Sequence, residues 1–559
     1  MLAKHYYKLF SYIPTTSMRT PVLIIGSGLA GLTTAYRLAQ RGIQSVVVSK
    51  DSSVIDGTNS VYAQGGIIYR PSDDSAELLV QDILAAGDQI NSKNAVHQLA
   101  TEGVEYVRKV LIDDVQVPFD REEGDQLSFT QEAAHSRKRI IHVKDHTGKA
   151  IMESLLRATQ GNPHITFLTD HILVDLLTSG HHCAGYEFKY ETNRCLGAFL
   201  FDAKSKLVKK VLAEVTVLAT GGIGQVYEYH TNAAHAYGGG LAAANRARVR
   251  IINSRFVQFH PTALWTPKKG RRFLISEALR GEGARLMNQS GEYFMDKYPL
   301  KDLESRAVVS HAIMDELKRT GSEYVLLNIA DHYTGDIPLD ERFPSIYQQC
   351  LSEGIDITQE PIPVIPAEHF FCGGIAVDLN GKSELEGLYA AGEVSCTGVH
   401  GANRLASTSL LECLTWGVKV GDSISSQLAV GSWQMTEKEF DCELQTANSQ
   451  LQRAFALVED WQSFGDQVAD EEEIEIEKDR IRSLMWENVG IIRTKERLFR
   501  AKEELQLIWK SVEKKYSESA LSEPLIELRH MAETAWIITN SASSHTNLMK
   551  DSLGGHVLE

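Results

Sequence analysis

Three glycines, at positions 26, 28 and 31, have the spacing that most directly implies chemistry. They follow the apolar run Val22-Leu23-Ile24-Ile25 and open Leu32 to Arg41, a stretch free of proline and glycine. Val46, Val47 and Val48 come next. Strand, glycine turn, helix and strand is the order that holds a dinucleotide pyrophosphate. Gly26 permits the turn, Gly28 lets backbone approach the phosphates, and Gly31 lets helix pack close to strand. The helix N-terminus then presents free N–H groups to the anion. The motif gains weight from standing between a strand and a helix. The acidic residue expected after the second strand is replaced by Ser49-Lys50, with Asp51 one step late. A ribose could be held by Asp51 or by Lys50, so the motif alone does not choose between NAD and FAD.

Further polar and glycine-rich pieces follow. Asn59 to Ile68 contains Gln64-Gly65-Gly66, where backbone can lie flat against a planar ligand. Gln131-Glu132-Ala133-Ala134-His135-Ser136 mixes acid and imidazole in a short loop, which alone would be a solvated turn. A second buried strand, Val211 to Ala219, runs into Thr220-Gly221-Gly222, as a nucleotide site would use. Beyond Ile251 come Phe259-His260-Pro261-Thr262, Ser276-Glu277-Ala278-Leu279-Arg280, Arg306 and His369. These polar groups cluster more densely than a core accepts unpaired.

Elements must position them. Asp82 to Lys109 is expected to be helical, from apolar residues spaced by three and four. Residues 255–370 are read as an inserted unit. Gly387 to Glu393 returns the chain to the first fold as a strand, and Ser407-Thr408-Ser409 opens a helix with hydroxyls at its start. From about residue 441 the pattern is helical. Leu498, Ala501, Leu505, Ile508 and Val512 form one apolar stripe, and a three-helix bundle is expected. Residues 1–20 carry Lys4, Lys8 and Arg19 and no acid, and are read as an extension too broken for a secretory signal.

Composition bounds the function. At 559 residues the chain should divide into two to four units. The net charge of −16 argues against a nucleic-acid partner. No apolar run is long enough to cross a bilayer. The seven cysteines contain no C-x-x-C pair, so no iron–sulfur or zinc site is expected, and their usage fits a reducing cytosol.

Taken together, these pieces resemble the L-aspartate oxidase family, which belongs with the flavoprotein subunits of fumarate reductase and succinate dehydrogenase. The resemblance covers roughly residues 21–540. It is carried by Gln258 to Leu264, Ser276 to Ala284, His369 with Cys372-Gly373-Gly374, Gly398 to Arg404, and Met485 to Gly490. It implies an α/β protein: a Rossmann-like FAD-binding domain, an inserted α+β capping domain and a C-terminal helical bundle. The expected divisions are an arm at 1–20, the FAD-binding domain at 21–254 and 371–440, the cap at 255–370 and the helical domain at 441–559.

The resemblance also implies residue roles. FAD would lie on Gly26, Ser27, Gly28, Leu29, Ala30 and Gly31, with Lys50 nearby. Asn59, Ser60, Val61, Tyr62, Ala63, Gln64, Gly65 and Gly66 would run along the flavin. Ile172 and Leu173 would meet adenine, Glu393 a ribityl or ribose hydroxyl, and Ser409 and Leu410 the flavin carbonyl. Asn59 stands where succinate dehydrogenase-like chains carry a His bonded to FAD, so the flavin should be non-covalent. Arg404, His260, His369 and Ser276 would hold the carboxylates of L-aspartate, and Glu132 its ammonium. Arg306, Glu277 and Arg280 match a proton relay. The implied activity is oxidation of L-aspartate to iminoaspartate, with oxygen or fumarate as acceptor, in de novo NAD synthesis. The alternatives are a soluble fumarate reductase and a weakly active flavin-binding relative. A cytoplasmic monomer or weak homodimer is expected, with no stable membrane association and transient contact with quinolinate synthase. Gly239 departs from the family's usual Asp, which implies a missing FAD contact. Ala307 also departs from an Asp.

Overall fold

In a computed structural model, the structure describes residues 17–545 and 553–558, apart from 123, 133, 269, 431–441 and 463–464. Most of the N-terminal extension therefore lies outside the described residues. Strand β1 (Ser17–Ile25) is nonetheless longer than its apolar run, because Ser17 to Thr20 pair with Lys210 to Ala213.

A turn at Gly26 leads from β1 into helix α1 (Leu29–Ala39) and then β2 (Ser45–Val48). Gly26 has φ +113°, and a Cβ there would lie 2.1 Å from the Ala219 carbonyl oxygen. A Cβ on Gly31 would lie 2.0 Å from the Gly26 oxygen. Only glycine satisfies both the conformation at 26 and the helix–strand approach at 31. Helices α2 (Ala76–Ala86) and α3 (Thr147–Thr159) follow. The expected long helix from Asp82 is broken: α2 ends at Gly87, Asp88 and Gln89 take positive φ, and helix resumes at Lys93. The Asn91 side chain holds the break by donating to the Ile83 and Val399 carbonyls.

The main sheet continues with β3 (Ile165–Leu168), β4 (His171–Thr178), β5 (Cys195–Asp202) and β6 (Val208–Leu218). Its order is β3-β2-β1-β6-β5-β4. β3, β2, β1 and β6 run parallel, while β4, β5 and β6 form an antiparallel meander. Helix α4 (Gly239–Arg246) then leads into a second sheet. There β7 (Val257–Leu264) pairs antiparallel with a distant later strand, β10 (Ile362–Phe371), and β8 (Arg285–Met287) and β9 (Val325–Asn328) extend the same sheet. Helices α5 (Arg306–Thr320) and α6 (Pro344–Ser352) belong to this unit, which has its own apolar core around Ile275, Leu286, Ile313, Leu327 and Ile346. It is tied to the body at Asp145, whose carboxylate accepts from the N–H groups of Ser345 and Ile346 and from Ser345 Oγ, at 2.7–3.1 Å.

β11 (Leu388–Ala390) returns the chain to the main sheet beside β6, and α7 (Thr408–Val430) packs on α1. Four helices follow: α8 (Cys442–Leu457), α9 (Glu471–Val489), α10 (Lys495–Glu518) and α11 (Glu523–His545). α9, α10 and α11 pack on one another, and the stripe Leu498, Ala501, Leu505, Ile508 and Val512 is buried. Ion pairs fix α11 to the main sheet. Asp175 of β4 accepts from Arg246 of α4 at 2.5 Å and from Arg529 of α11 at 2.8 Å. The fold is thus an α/β body with an inserted α+β unit and a C-terminal helical bundle.

Residues 553–558 turn back under the second sheet. His556 Nε2 accepts from the Val257 N–H at 3.1 Å, and its Nδ1 donates to the Gly490 carbonyl at 3.0 Å. The tail therefore braces the start of β7, which carries His260.

Candidate active site

Two cavities share the wall formed by Asn59, Ser60, Glu393 and Cys413. The first begins at the glycine turn. Gly26, Ser27, Gly28, Leu29 and Ala30 border it, with Lys50, Asp51, Ile172 and Leu173. No side chain caps α1 at Gly28; the Leu29 N–H donates to Ser60 Oγ at 3.1 Å, and the positive end of the helix dipole faces the cavity beside it. Asp51 is engaged by His235 at 2.7 Å. Lys50 is paired with Glu527 and, at 3.2 Å, with Glu523, both from α11.

Asn59 is the hinge between the cavities. Its Nδ2 donates to Asn232 Oδ1 at 3.0 Å and to Glu393 Oε2 at 3.3 Å. Asn232 in turn donates to Glu368 Oε2 at 3.0 Å and to the His369 carbonyl at 3.2 Å. This chain of amides ties the dinucleotide cavity to β10. Burial pushes the Glu393 carboxyl up to about 7. Glu368 is also held well above its ordinary range, by burial and by the neighbouring Glu393.

The second cavity is lined by Val61 to Gly66, Ser409 and Leu410 on one side. Glu132, His260, Ser276, Glu277, Arg306, His369 and Arg404 supply its charged and polar surface. His260 and His369 are brought together across the β7–β10 pair, with ring centroids 5.2 Å apart. Thr262 N–H donates to His260 Nδ1 at 3.2 Å, leaving Nε2 without a protein partner. The Thr231 hydroxyl meets His369 Nδ1 at 2.8 Å. Burial holds both imidazoles well below their ordinary range; Arg306 adds to this at His260, and Arg404 and Arg306 at His369. The rings are therefore neutral donors and acceptors.

Arg404 stacks its guanidinium 4.5 Å over the Phe370 ring, and its Nε has no protein partner. Burial lowers it to about 10, so it stays charged at neutral pH. Arg306 is held by Glu277 Oε2 at 2.5 Å and Gln258 Oε1 at 3.3 Å. Burial would raise the Glu277 carboxyl, but Arg306 and Arg280 outweigh it and hold it low. Glu132 is the contrary case: burial raises it, Glu277 adds to the rise, and its Oε2 accepts from Ser407 Oγ at 2.8 Å. Two buried carboxylates close to two guanidiniums are thus pushed in opposite directions.

Most of the residues singled out from the sequence border one cavity or the other. Two border neither. Arg280 lies fully buried behind Glu277, with Nη1 donating to the Asp302 carbonyl at 2.6 Å, and Gly31 sits in the α1–β1 packing. Lys50 borders the first cavity, but α11 engages its ammonium. Thr231, Asn232, Glu527 and His530 border the cavities and are not singled out from the sequence; Ser407, read there only as a helix-opening hydroxyl, engages Glu132. Ser407 has φ +57°, a conformation its residue type does not announce. Among the described residues no group of three or more His, Cys, Asp or Glu is arranged to hold a metal, and no helix is long and apolar enough to cross a membrane.

A glycine cradle at a helix N-terminus, leading past Asn59 to a cationic chamber with unpartnered His260 Nε2 and Arg404 Nε, fits a dinucleotide flavin. Residues 21–410 match the FAD binding domain family. The class is therefore that of FAD-binding oxidoreductases. The chain is 38% identical to L-aspartate oxidase 1 of Ralstonia nicotianae over 94% of its own length and 93% of the relative's. It is 37% identical to the L-aspartate oxidase of Vibrio cholerae, covering 96% and 94%. Among solved structures it is similar to a variant of E. coli quinol fumarate reductase FrdA, with a TM-score of 0.81, 25% identity, and 97% and 92% covered. The chain belongs to the L-aspartate oxidase family.

Proposed function

We propose that the protein oxidises L-aspartate to iminoaspartate, with oxygen or fumarate as the electron acceptor, as the first step of a quinolinate route to NAD. The observation that carries this reading is Glu132. A carboxylate set among Arg404, His260 and His369 supplies an acceptor for an ammonium group beside donors for two carboxylates. A plain dicarboxylate gains nothing from Glu132 and is repelled by its charged form.

In this reading Arg404 grips one substrate carboxylate with its planar fork. His260 donates from Nε2 to a carboxylate oxygen, and His369 and Ser276 complete the grip. FAD, when bound, supplies the hydride acceptor. Ser409 and Leu410, at the start of α7, would hold the flavin carbonyl, where the helix dipole favours negative charge. Arg306 faces the substrate. Guanidinium almost never loses its proton, so its natural role is proton donor to carbon when fumarate is reduced, with Glu277 orienting it. Arg280 acts from behind, through Glu277.

We further propose that residues 255–370 act as a cap over a body formed by 21–254 and 371–440, with 441–559 as a helical domain. Iminoaspartate hydrolyses readily in water, which favours prompt transfer to quinolinate synthase in the same compartment, here the cytoplasm. Steady-state rates with L-aspartate and succinate test the function. A higher kcat/KM with aspartate is expected. A preference for succinate would place the protein with the soluble fumarate reductases instead.

A further inference from the structure

Dinucleotide folds of this kind place an acidic residue at the end of the second strand, where it binds ribose hydroxyls. Here β2 is followed by Ser49-Lys50, and the nearby Asp51 is engaged by His235. A carboxylate nevertheless stands at this place, and it comes from 477 residues further along the chain. Glu527 of α11 borders the first cavity. One of its oxygens meets Lys50, and the other accepts from Lys478 of α9 at 2.9 Å. A carboxylate offers about four lone-pair sites. The two lysines orient the group and leave acceptor capacity toward the cavity.

The same face of α11 carries two more contacts. His530 lies one turn along and borders the same cavity. A Cβ on Gly239 would lie 2.9 Å from its Nδ1, so the imidazole stands against the side-chain-free start of α4. Thr534, a further turn along, has Oγ1 3.3 Å from the Gly238 carbonyl. Positions 527, 530 and 534 share one stripe of a helix. α11 is thus a wall of the cavity as well as a packing element.

Resting on the FAD reading above, we infer that α11 supplies the adenosine-recognition side chains of this chain: Glu527 accepts hydrogen bonds from the adenosine ribose hydroxyls of FAD, and His530 closes the wall that Gly239 leaves bare. The helical bundle then reports on the cofactor, because α11 bridges the two.

The test measures dissociation constants of the apoprotein, by flavin fluorescence, for FAD, for FAD with a 2′-deoxyadenosine half, and for FMN, which has no adenosine. A hydrogen bond to a charged group corresponds to about a tenfold effect or more. The wild-type protein should bind the deoxy analogue about tenfold more weakly than FAD, and Glu527→Gln should erase that discrimination. His530→Ala, which leaves the lysine pairs intact, should weaken FAD several-fold and leave FMN unchanged. Discrimination retained in Glu527→Gln, or FAD and FMN weakened alike in His530→Ala, would overturn the inference. Failure of the wild-type protein to bind FAD at all would overturn the flavin reading itself.

Discussion

Thr262 N–H donates to His260 Nδ1 at 3.2 Å, and this bond decides which nitrogen of the ring carries the proton. Nδ1 is the acceptor, so in the neutral ring Nε2 is the donor. The unpartnered Nε2 is therefore preset to meet an anion. His260→Phe should raise KM for L-aspartate about tenfold or more while leaving the FAD dissociation constant unchanged. Initial-rate kinetics and a flavin titration on the same preparation check this. An unchanged KM would remove His260 from the carboxylate grip.

Glu132 and Ser407 set substrate choice. Glu132→Gln keeps the shape and removes the charge that attracts an ammonium. We expect kcat/KM for L-aspartate to fall about a hundredfold while that for succinate holds or rises. Ser407→Ala should have a smaller effect in the same direction, since it removes only the 2.8 Å bond orienting the carboxylate. The ratio of the two specificity constants is the readout.

Arg306→Leu should lower fumarate-reducing turnover by about 10²–10⁴-fold, the range of a lost general acid. Bound FAD should remain, because Arg306 is absent from the first cavity, which in this reading holds the pyrophosphate and adenosine. Absorbance of the purified variant reports the flavin, and turnover with a reduced dye reports the chemistry. Full activity would rule out the assigned role.

Asp175, Arg246 and Arg529 make docking of α11 sensitive to pH. Burial would raise the Asp175 carboxyl, but Arg246 and Arg529 hold it at about 2, below its ordinary 3.8. Its contribution is complete above pH 3.8 and is lost as pH falls toward 2. Burial also lowers His135, from 6.5 to about 4. The unfolded chain binds that proton first, so stability falls as pH drops from 6.5 to 4, by up to about 1.4 kcal/mol per pH unit. Denaturant unfolding of wild-type protein and His135→Phe side by side should show the wild type losing stability relative to the variant as pH drops from 6.5 to 4; Glu393, raised to about 7, contributes the opposite slope to both and cancels in the difference. Asp175→Asn should cost about 3–5 kcal/mol, as for breaking a buried pair.

Gly239→Asp looks, from the family resemblance alone, like a way to restore a missing cofactor contact. The structure changes that expectation. The new Cβ would meet His530, so Gly239→Asp alone should not tighten FAD. In a His530→Ala background, which empties that space, Gly239→Asp should tighten FAD relative to His530→Ala alone. Tightening by the single substitution would contradict the placement of His530.

What was legible in the sequence follows from distance along the chain. The turn at Gly26 to Gly31 is built from neighbouring residues, so its strand–glycine–helix order could be read directly. The stripe from Leu498 to Val512 is a local periodicity and is buried as expected. His260, Glu277, Arg306 and His369 stand out as polar groups too dense for a core, but their roles, and that of Arg404, come only through resemblance, because spacing does not show that β7 and β10 pair. The break at Gly87 depends on Asn91 reaching the Val399 carbonyl, a contact that helical periodicity cannot report. Glu527 and His530 depend on α11 docking against α4 and β4. Their one local signal is the run of polar groups at 527, 530 and 534 on one face of α11.

Absorbance of the FAD-loaded protein during anaerobic titration with L-aspartate tests the central claim most directly. The account predicts that L-aspartate bleaches the flavin band and that succinate does so far less. A yellow protein left unbleached by L-aspartate would contradict it.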